Sequence, residues 1–314
     1  MRAADPTPGG GAGKDVGQFI HDFIDAYLDV FDNNNLGFNS HAKAWDGFLL
    51  GFSSGADDLY QFWKRHIGEF HWTPAEAFAL GAAIEQAPGA EPPESAPAVK
   101  PEELTVVSWA LCQTAETKSS NRHQSRFPSE RWARARIYGE RCNRSLHRAV
   151  VKALNGEGYE AVAPGMMAQW GERQSRQFGD ASTWSQRHVA YVSGLGTFSL
   201  SGGLITERGQ AHRLGSVVVR AAIPATVRPY VDPFEYCLYY TTGGCTDCVD
   251  RCPAGSIKPG ARDKRACAKH LEPGTAEYVK EKYGFDGYGC GLCQTGVRCE
   301  SRIPERPQPN GRKP

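Results

Sequence analysis

Eight of the ten cysteines in this 314-residue chain fall within 63 residues: Cys237, Cys245, Cys248, Cys252, Cys267, Cys290, Cys293 and Cys299. A disulfide scaffold would spread its bridges through a small domain, whereas here a long cysteine-poor stretch precedes a dense one, the distribution of a metal-binding segment. Cys245-x2-Cys248-x3-Cys252-Pro253 carries three cysteines and the proline of the C-x2-C-x2-C-x3-C-P run that ligates iron–sulfur clusters. That run needs one more cysteine where Thr242 stands, and Cys237, five residues earlier across a TTGG segment, is its substitute. A second set follows as Cys267, Cys290-x2-Cys293 and Cys299. Each [4Fe–4S] cluster takes four thiolates, and the last cysteine of each run crosses to the other cluster. One cluster is therefore expected on Cys237, Cys245, Cys248 and Cys299, the other on Cys252, Cys267, Cys290 and Cys293. Structural zinc is the alternative; two C-x2-C pairs would satisfy it, leaving four cysteines and the C-x3-C-P continuation unexplained. Cys112 and Cys142 read as small buried apolar residues.

Two adjacent clusters deliver electrons one at a time, so the first 236 residues must hold something that uses them. The composition is 40% hydrophobic and 23% charged, with 36 Lys and Arg against 35 Asp and Glu. It belongs to a folded domain and gives no global charge argument for nucleic acid or a membrane surface. No apolar run is long enough to cross a bilayer. Residues 1–14 read as a flexible leader or the scar of a removed export signal, with neither a hydrophobic core nor a twin arginine. Localisation is accordingly cytoplasmic as written, or that of the mature form of an exported, membrane-associated enzyme.

Apolar residues at helical spacing predict a helix over 16–31. Thr73-Pro74-Ala75-Glu76 has the form of a capping box opening a helix to Gln86. Prolines over 87–103 predict an extended connector. Residues 104–111, 159–164 and 215–223 read as strands. A long arginine-rich helix is expected from Ser129 to Asn155-Gly156, and a second helix over 185–193. Strands alternating with helices imply an α/β layer domain. The domains are then the leader, 15–235, a cysteine-rich 236–305 and a tail at 306–314.

Several segments are long enough to be specific. SGADDLYQFWKRHIGEFHWTPAEAF, ELTVVSWAL, FPSERWARARIYGE, WSQRHVAYVSGLGTFSLSGGLIT, HRLGSVV, CTDCVDRCPAG and YGCGLCQTGVRCES resemble the corrinoid-dependent reductive dehalogenases over about 35–305. The related tRNA epoxyqueuosine reductases share the RHVA–GLG core, but usually follow GLG with Gly-Lys-Asn; here TFSLSGG follows Gly196. The resemblance implies a nitroreductase-like corrinoid-binding domain and a ferredoxin-like double [4Fe–4S] domain. It also implies base-off cobalamin and replacement of a carbon-bound halogen by hydrogen. A D-x-H-x-x-G lower-ligand motif is lacking, since Gln210 stands where the aspartate would precede His212. The expected partners are a small organohalide and a low-potential electron donor (ferredoxin, flavodoxin or a membrane quinol partner), with no nucleic acid. Two alternatives stay open: an epoxyqueuosine-reductase-like enzyme acting on tRNA, and an electron-transfer protein without catalysis of its own.

The family pairs a tyrosine acid with a basic residue about 60 positions later. That assigns proton donation to Tyr159 and phenolate and halide stabilisation to Arg213, with Arg208 as a rival. A cation beside a phenol lowers its pKa towards the working range. In the tRNA reductases an aspartate at the place of Asp180, seven residues before Arg187, is the donor; Asp180 is the second candidate. Gly194, Gly196, Gly202 and Gly203 would let the backbone approach a flat cofactor. Trp63, Trp72, Trp109, Trp132, Trp170 and Trp184 could line a substrate cavity, though core packing is the simpler role. Ten Lys and Arg against two Glu over 118–152 read as a solvated helix face.

Overall fold

The computed structural model describes residues 15–38, 40–86 and 99–306, so the leader, most of the proline-rich connector and the end of the tail lie outside the described residues. The Asp15 carboxylate accepts from the amides of Gly17 (2.9 Å) and Gln18 (3.2 Å) and starts α1 (Val16–Asp29). Its apolar stripe buries Ile20, Ile24 and Leu28. β1 (Trp45–Ser54) and α2 (Asp58–Ile67) follow, then α3 (Pro74–Gln86). The capping box forms as the sequence expects: the Thr73 amide donates to the Glu76 carboxylate at 2.8 Å, and the Glu76 amide to Thr73 Oγ1 at 3.4 Å.

β2 (Leu104–Gln113) and α4 (Ala115–Arg122) lead to one long helical run. It comprises α5 (Glu130–Arg134), a π turn at Ala135–Gly139 and α6 (Glu140–Gly156), capped by Ser129 Oγ accepting from the Trp132 amide at 3.2 Å. Then come β3 (Ala161–Val162), the hairpin β4 (Glu172–Ser175) and β5 (Gly179–Ser182), and α7 (Gln186–Val192). A second hairpin, β6 (Gly196–Phe198) and β7 (Leu204–Thr206), precedes β8 (His212–Arg220).

The main sheet runs β1-β2-β8-β3 and every pairing in it is antiparallel. All ten residues of β2 are buried, which is why LTVVSWAL reads as an unbroken apolar run. Alternation divides its side chains between two cores. Val107, Trp109 and Leu111 pack with Ile20, Ile24, Leu146 and Val150. Val106 and Ala110 pack on the opposite face with Tyr60, Phe78, Trp184 and Val189. The result is a mixed α/β molecule with helices on both faces of an antiparallel sheet. Trp109 lies across from Gly215, and a Cβ on Gly215 would sit 2.4 Å from its ring. β1 and α2 are elements the sequence reading did not anticipate, and only 161–162 of the expected 159–164 strand pairs.

After β8 the chain becomes loop-rich: α8 (Leu238–Thr242), α9 (Asp247–Asp250), a short hairpin of β9 (Ile257–Lys258) with β10 (Ala261–Arg262), α10 (Lys264–Leu271) and α11 (Pro273–Tyr283). Its small core of Leu200, Ile205, Cys237, Cys248, Ile257 and Val297 borrows two residues from the β6–β7 hairpin. The segment is bonded to the sheet layer at many points. The Gln210 amide donates to Cys299 O (2.8 Å), Asn121 Nδ2 to Cys290 O (3.1 Å) and Tyr283 OH to Pro128 O (2.9 Å).

Candidate redox site

Four of the eight clustered cysteines surround one pocket, and the other four are related by electrostatic proximity. Cys237, Cys245, Cys248 and Cys299 line one small pocket, closed by Leu200, Ile205, Leu238 and Val297. Cys237 enters this set as the residue before α8; Thr242 at the end of that helix donates its hydroxyl to Leu238 O (2.6 Å). Burial, followed by the proximity of Cys237 and Cys245, pushes the Cys248 thiol up to about 12, and the same causes raise Cys299. Sulfurs so placed ionise together only against a cation bound among them.

Cys252, Cys267, Cys290 and Cys293 form the second set. Burial first, then Cys267 and Cys252, push Cys290 up to about 11. Burial and then Cys290 push Cys293 up to about 12, and Cys293 also feels Cys248 of the first set. Burial works against Cys252 as well, but hydrogen bonds from Ser256 and neighbouring amides outweigh it and hold that thiol below its ordinary value. Among the described residues no three His, Cys, Asp or Glu side chains converge as a single ion would need. The first set rings a pocket instead. Cys112 and Cys142 lie in the sheet core, pushed up by burial to about 11 and about 12.

A cationic group borders the second set. Arg187 on α7 is exposed to solvent, yet its surroundings are dense enough that burial, then Arg262 and Arg213, bring its pKa down to about 10. His188 is held neutral by burial, down to about 3, and His212 likewise, to about 4. His212 Nδ1, Arg262 Nε and Trp63 Nε1 are buried without partners among the described residues. Trp63 stands edge-on to His188 at 4.7 Å, and Phe198 lies 5.0 Å from the same ring. Arg262 Nε and Trp63 Nε1 are donors, whereas neutral His212 donates from Nε2 to Leu204 O (2.8 Å) and leaves Nδ1 as an acceptor. The sequence reading used Arg187 only as a landmark for Asp180 and passed over Arg262 and Lys264, whose only local signal is spacing, five and three residues before Cys267.

Asp180 lies on β5, beside these cations. Its carboxylate accepts from Gln174 and stands 3.9 Å from Arg265 Nε. Lys264 Nζ donates to Asp180 O (2.7 Å) and Phe178 O (2.9 Å), docking the β4–β5 hairpin on the first turn of α10. Tyr159 is elsewhere: it packs against the core shared by α1 and α6, just before β3. β3 pairs with Val218 and Val219, whereas Arg213 pairs with Leu111 at the other end of β8. Six residues of strand separate the two positions, roughly 20 Å. The expected Tyr159–Arg213 pair is therefore not made, because the strand following Tyr159 joins the wrong end of β8. Arg213 forms an ion pair with Glu140 in the first turn of α6, and Arg208 stands 3.5 Å from Asp46.

The four glycines answer to their own chain. A Cβ on Gly196 would sit 2.0 Å from Ile205 O, one on Gly203 3.1 Å from Gln210 Oε1, and one on Gly194 2.9 Å from Thr226. Gly202, with φ +73°, turns the β6–β7 hairpin against Arg262. Gln210 joins Ser199 and Ser201 and donates to Cys293 O at 2.8 Å. Trp109 and Trp184 are core residues bonded to Asn143 and Ser216. Trp132 is buried over Gly291, and Trp170 is partly exposed, donating to Trp184 O. Trp72 packs at the margin of the second core. In the basic stretch, Arg141, Arg144, Arg148 and Lys152 are exposed along α6.

No family model matches the chain. Among curated proteins, the epoxyqueuosine reductase of Bacillus cereus is 31% identical over 121 residues, and that of Bacillus subtilis 31% identical over 122. Each alignment takes in 37% of this chain, and it spans 30% and 29% of the relatives' own lengths. Similar solved structures include an epoxyqueuosine reductase with a tRNA-Tyr epoxyqueuosine-modified stem loop, at TM-score 0.46 and 17% identity, covering 90% of this chain and 65% of that one. A catabolic reductive dehalogenase superposes at TM-score 0.45 and 14% identity, covering 66% of this chain and 27% of that one.

Proposed function

We propose that this chain is an iron–sulfur oxidoreductase of the corrinoid-dependent reductive kind, built as a catalytic layer over about 15–235 and a ferredoxin-like segment over 236–305. What supports the reading is that Cys237, Cys245, Cys248 and Cys299 surround one pocket, that Cys290 lies near Cys267 and Cys252, and that Arg187, Arg262 and Lys264 with the Asp180 hairpin lie beside the latter group. When bound, two [4Fe–4S] clusters supply low-potential electrons and a base-off corrinoid supplies a strongly nucleophilic reduced metal.

The residues of the chain do the rest. Cys237, Cys245, Cys248 and Cys299 would hold one cluster, and Cys252, Cys267, Cys290 and Cys293 the other. Arg262 Nε and Trp63 Nε1 would present unsatisfied donors, and Arg187 positive charge, to the acceptor-rich rim of a corrinoid. Trp63 and Phe198 exclude water. Asp180 holds the proton at its carboxylate, and Lys264 keeps its hairpin in place. These cations stabilise the negative charge that a departing oxygen or halide acquires.

The favoured substrate is an epoxide of the epoxyqueuosine type in tRNA. The curated relatives are epoxyqueuosine reductases, and the acid beside the cations is Asp180 rather than Tyr159. With tRNA as the substrate, a nucleic acid takes the place of the expected absence of one among the partners. Reductive dehalogenation is the second reading, favoured by TFSLSGG after Gly196. Anaerobic reconstitution with iron, sulfide and corrinoid, followed by assays on epoxyqueuosine tRNA and on aryl and alkyl halides, tests both. Conversion of the tRNA base supports the first reading, and halide release supports the second. Zinc in place of iron, or corrinoid that fails to bind, overturns the proposal.

A further inference from the structure

The two cysteine sets differ in what points at their sulfurs. Arg262 Nη2 donates to Cys267 Sγ at 3.2 Å. The Ser256 hydroxyl lies 3.2 Å from Cys252 Sγ and the Ser256 amide donates to the same sulfur at 3.4 Å. Arg187 adds a second positive charge close to Cys267 and Cys293. The first set has a different neighbourhood. Arg298 approaches Cys245 but is 3.5 Å from the Asp247 carboxylate, which acts on Cys245 with the opposite sign.

Positive charge and hydrogen bonds to ligand sulfur favour the reduced, more negative state of a thiolate-bound centre and raise its potential. Resting on the two-cluster reading above, we propose that Arg262, seconded by Arg187, makes the centre on Cys252, Cys267, Cys290 and Cys293 the higher-potential one. The Cys237, Cys245, Cys248 and Cys299 centre is then the point of electron entry, and the Arg262-tuned centre receives the electron next to the Asp180 hairpin. Arg262 is a positioning and tuning residue. The pairing of Arg262 with Ile257 fixes it directly after the Cys252-Pro253 loop. Gly202 leaves it room, since a Cβ there would stand 2.7 Å from Arg262 Nη1. This gives a reason for that glycine unconnected with a ligand.

The test is a dithionite redox titration of the full reconstituted chain, followed by electron paramagnetic resonance and read together with iron content. Cys245→Ser and Cys267→Ser each perturb one signal and assign the two centres. Arg262→Leu is expected to keep about eight irons and to disfavour reduction of the Cys267-ligated centre about tenfold, ~59 mV for a one-electron couple. The other potential stays where it was. Arg262→Lys, which keeps the charge and loses the planar fork, is expected to shift the same centre in the same direction by less. It carries the test if Arg262→Leu loses iron. Unmoved potentials with full iron, a shift confined to the Cys245-ligated centre, or a lower starting potential for the Cys267-ligated centre would each overturn the proposal. A wild-type chain that binds no iron fails at the earlier step and takes the two-cluster reading down with it.

Discussion

Two acids compete in the sequence, and their surroundings separate them. Asp180 sits within reach of Arg265 and is anchored through its backbone to Lys264, whose own pKa is lowered by burial and by Arg187 and Arg262. Tyr159 touches the α1–α6 core and none of these cations. Asp180→Asn is therefore expected to cost about 10²-fold or more in turnover with iron content unchanged, and Tyr159→Phe to leave turnover as it was. A Tyr159→Phe enzyme that is dead with both clusters intact would reverse the assignment. His147 contributes to acid stability beside the buried His188 and His212. His147 is buried between α6 and β8, donating from Nδ1 to Asn143 O (2.7 Å) and accepting at Nε2 from the Ser216 amide (3.2 Å). Burial lowers its pKa to about 4 from 6.5, so between those values the unfolded chain holds the extra proton. Stability present above pH 6.5 is then lost as pH falls towards 4, by a few kcal/mol at most. Thermal melts should show a drop from pH 7 to pH 5 that is smaller in His147→Gln.

At the scale of elements, the long run from Glu130 to Gly156 holds the two halves of the molecule together. Its start sets Trp132 against Gly291, where a Cβ would meet the ring at 1.9 Å. Its π turn places Arg136 on Tyr288 at 2.9 Å, and its next turn offers Glu140 to Arg213. Removing the cap with Ser129→Ala should cost about 1 kcal/mol in denaturant unfolding, since the Trp132 amide loses its acceptor. The β4–β5 hairpin behaves differently: two of its carbonyls are held by a single lysine. Lys264→Met should release it, lowering turnover while iron content and melting temperature hold. Equal loss of iron would mean that Lys264 serves α10 and its Cys267 instead.

At the scale of the whole chain, two well-filled cores flank the sheet, while the cysteine segment has a small one made partly of cysteines. If those cysteines hold the proposed iron, chelating it should open 236–306 to proteolysis well before the sheet layer, the cleavage sites being read by mass spectrometry. What the sequence determined alone was whatever depends on neighbours a few residues away: the Thr73–Glu76 box, the Ser129 cap, the α1 stripe and the buried run of β2. Strand pairing is not local in this sense. Which end of β8 receives β3 is set by packing across more than fifty residues, and that choice parts Tyr159 from Arg213. The same long-range packing brings Arg187, Arg262, Lys264 and Asp180, spread over eighty-five positions, into one electrostatic neighbourhood. Charge meets charge only after the sheet and the cysteine loops have closed on each other, so only the tertiary structure decided which of the two candidate acids has cations beside it.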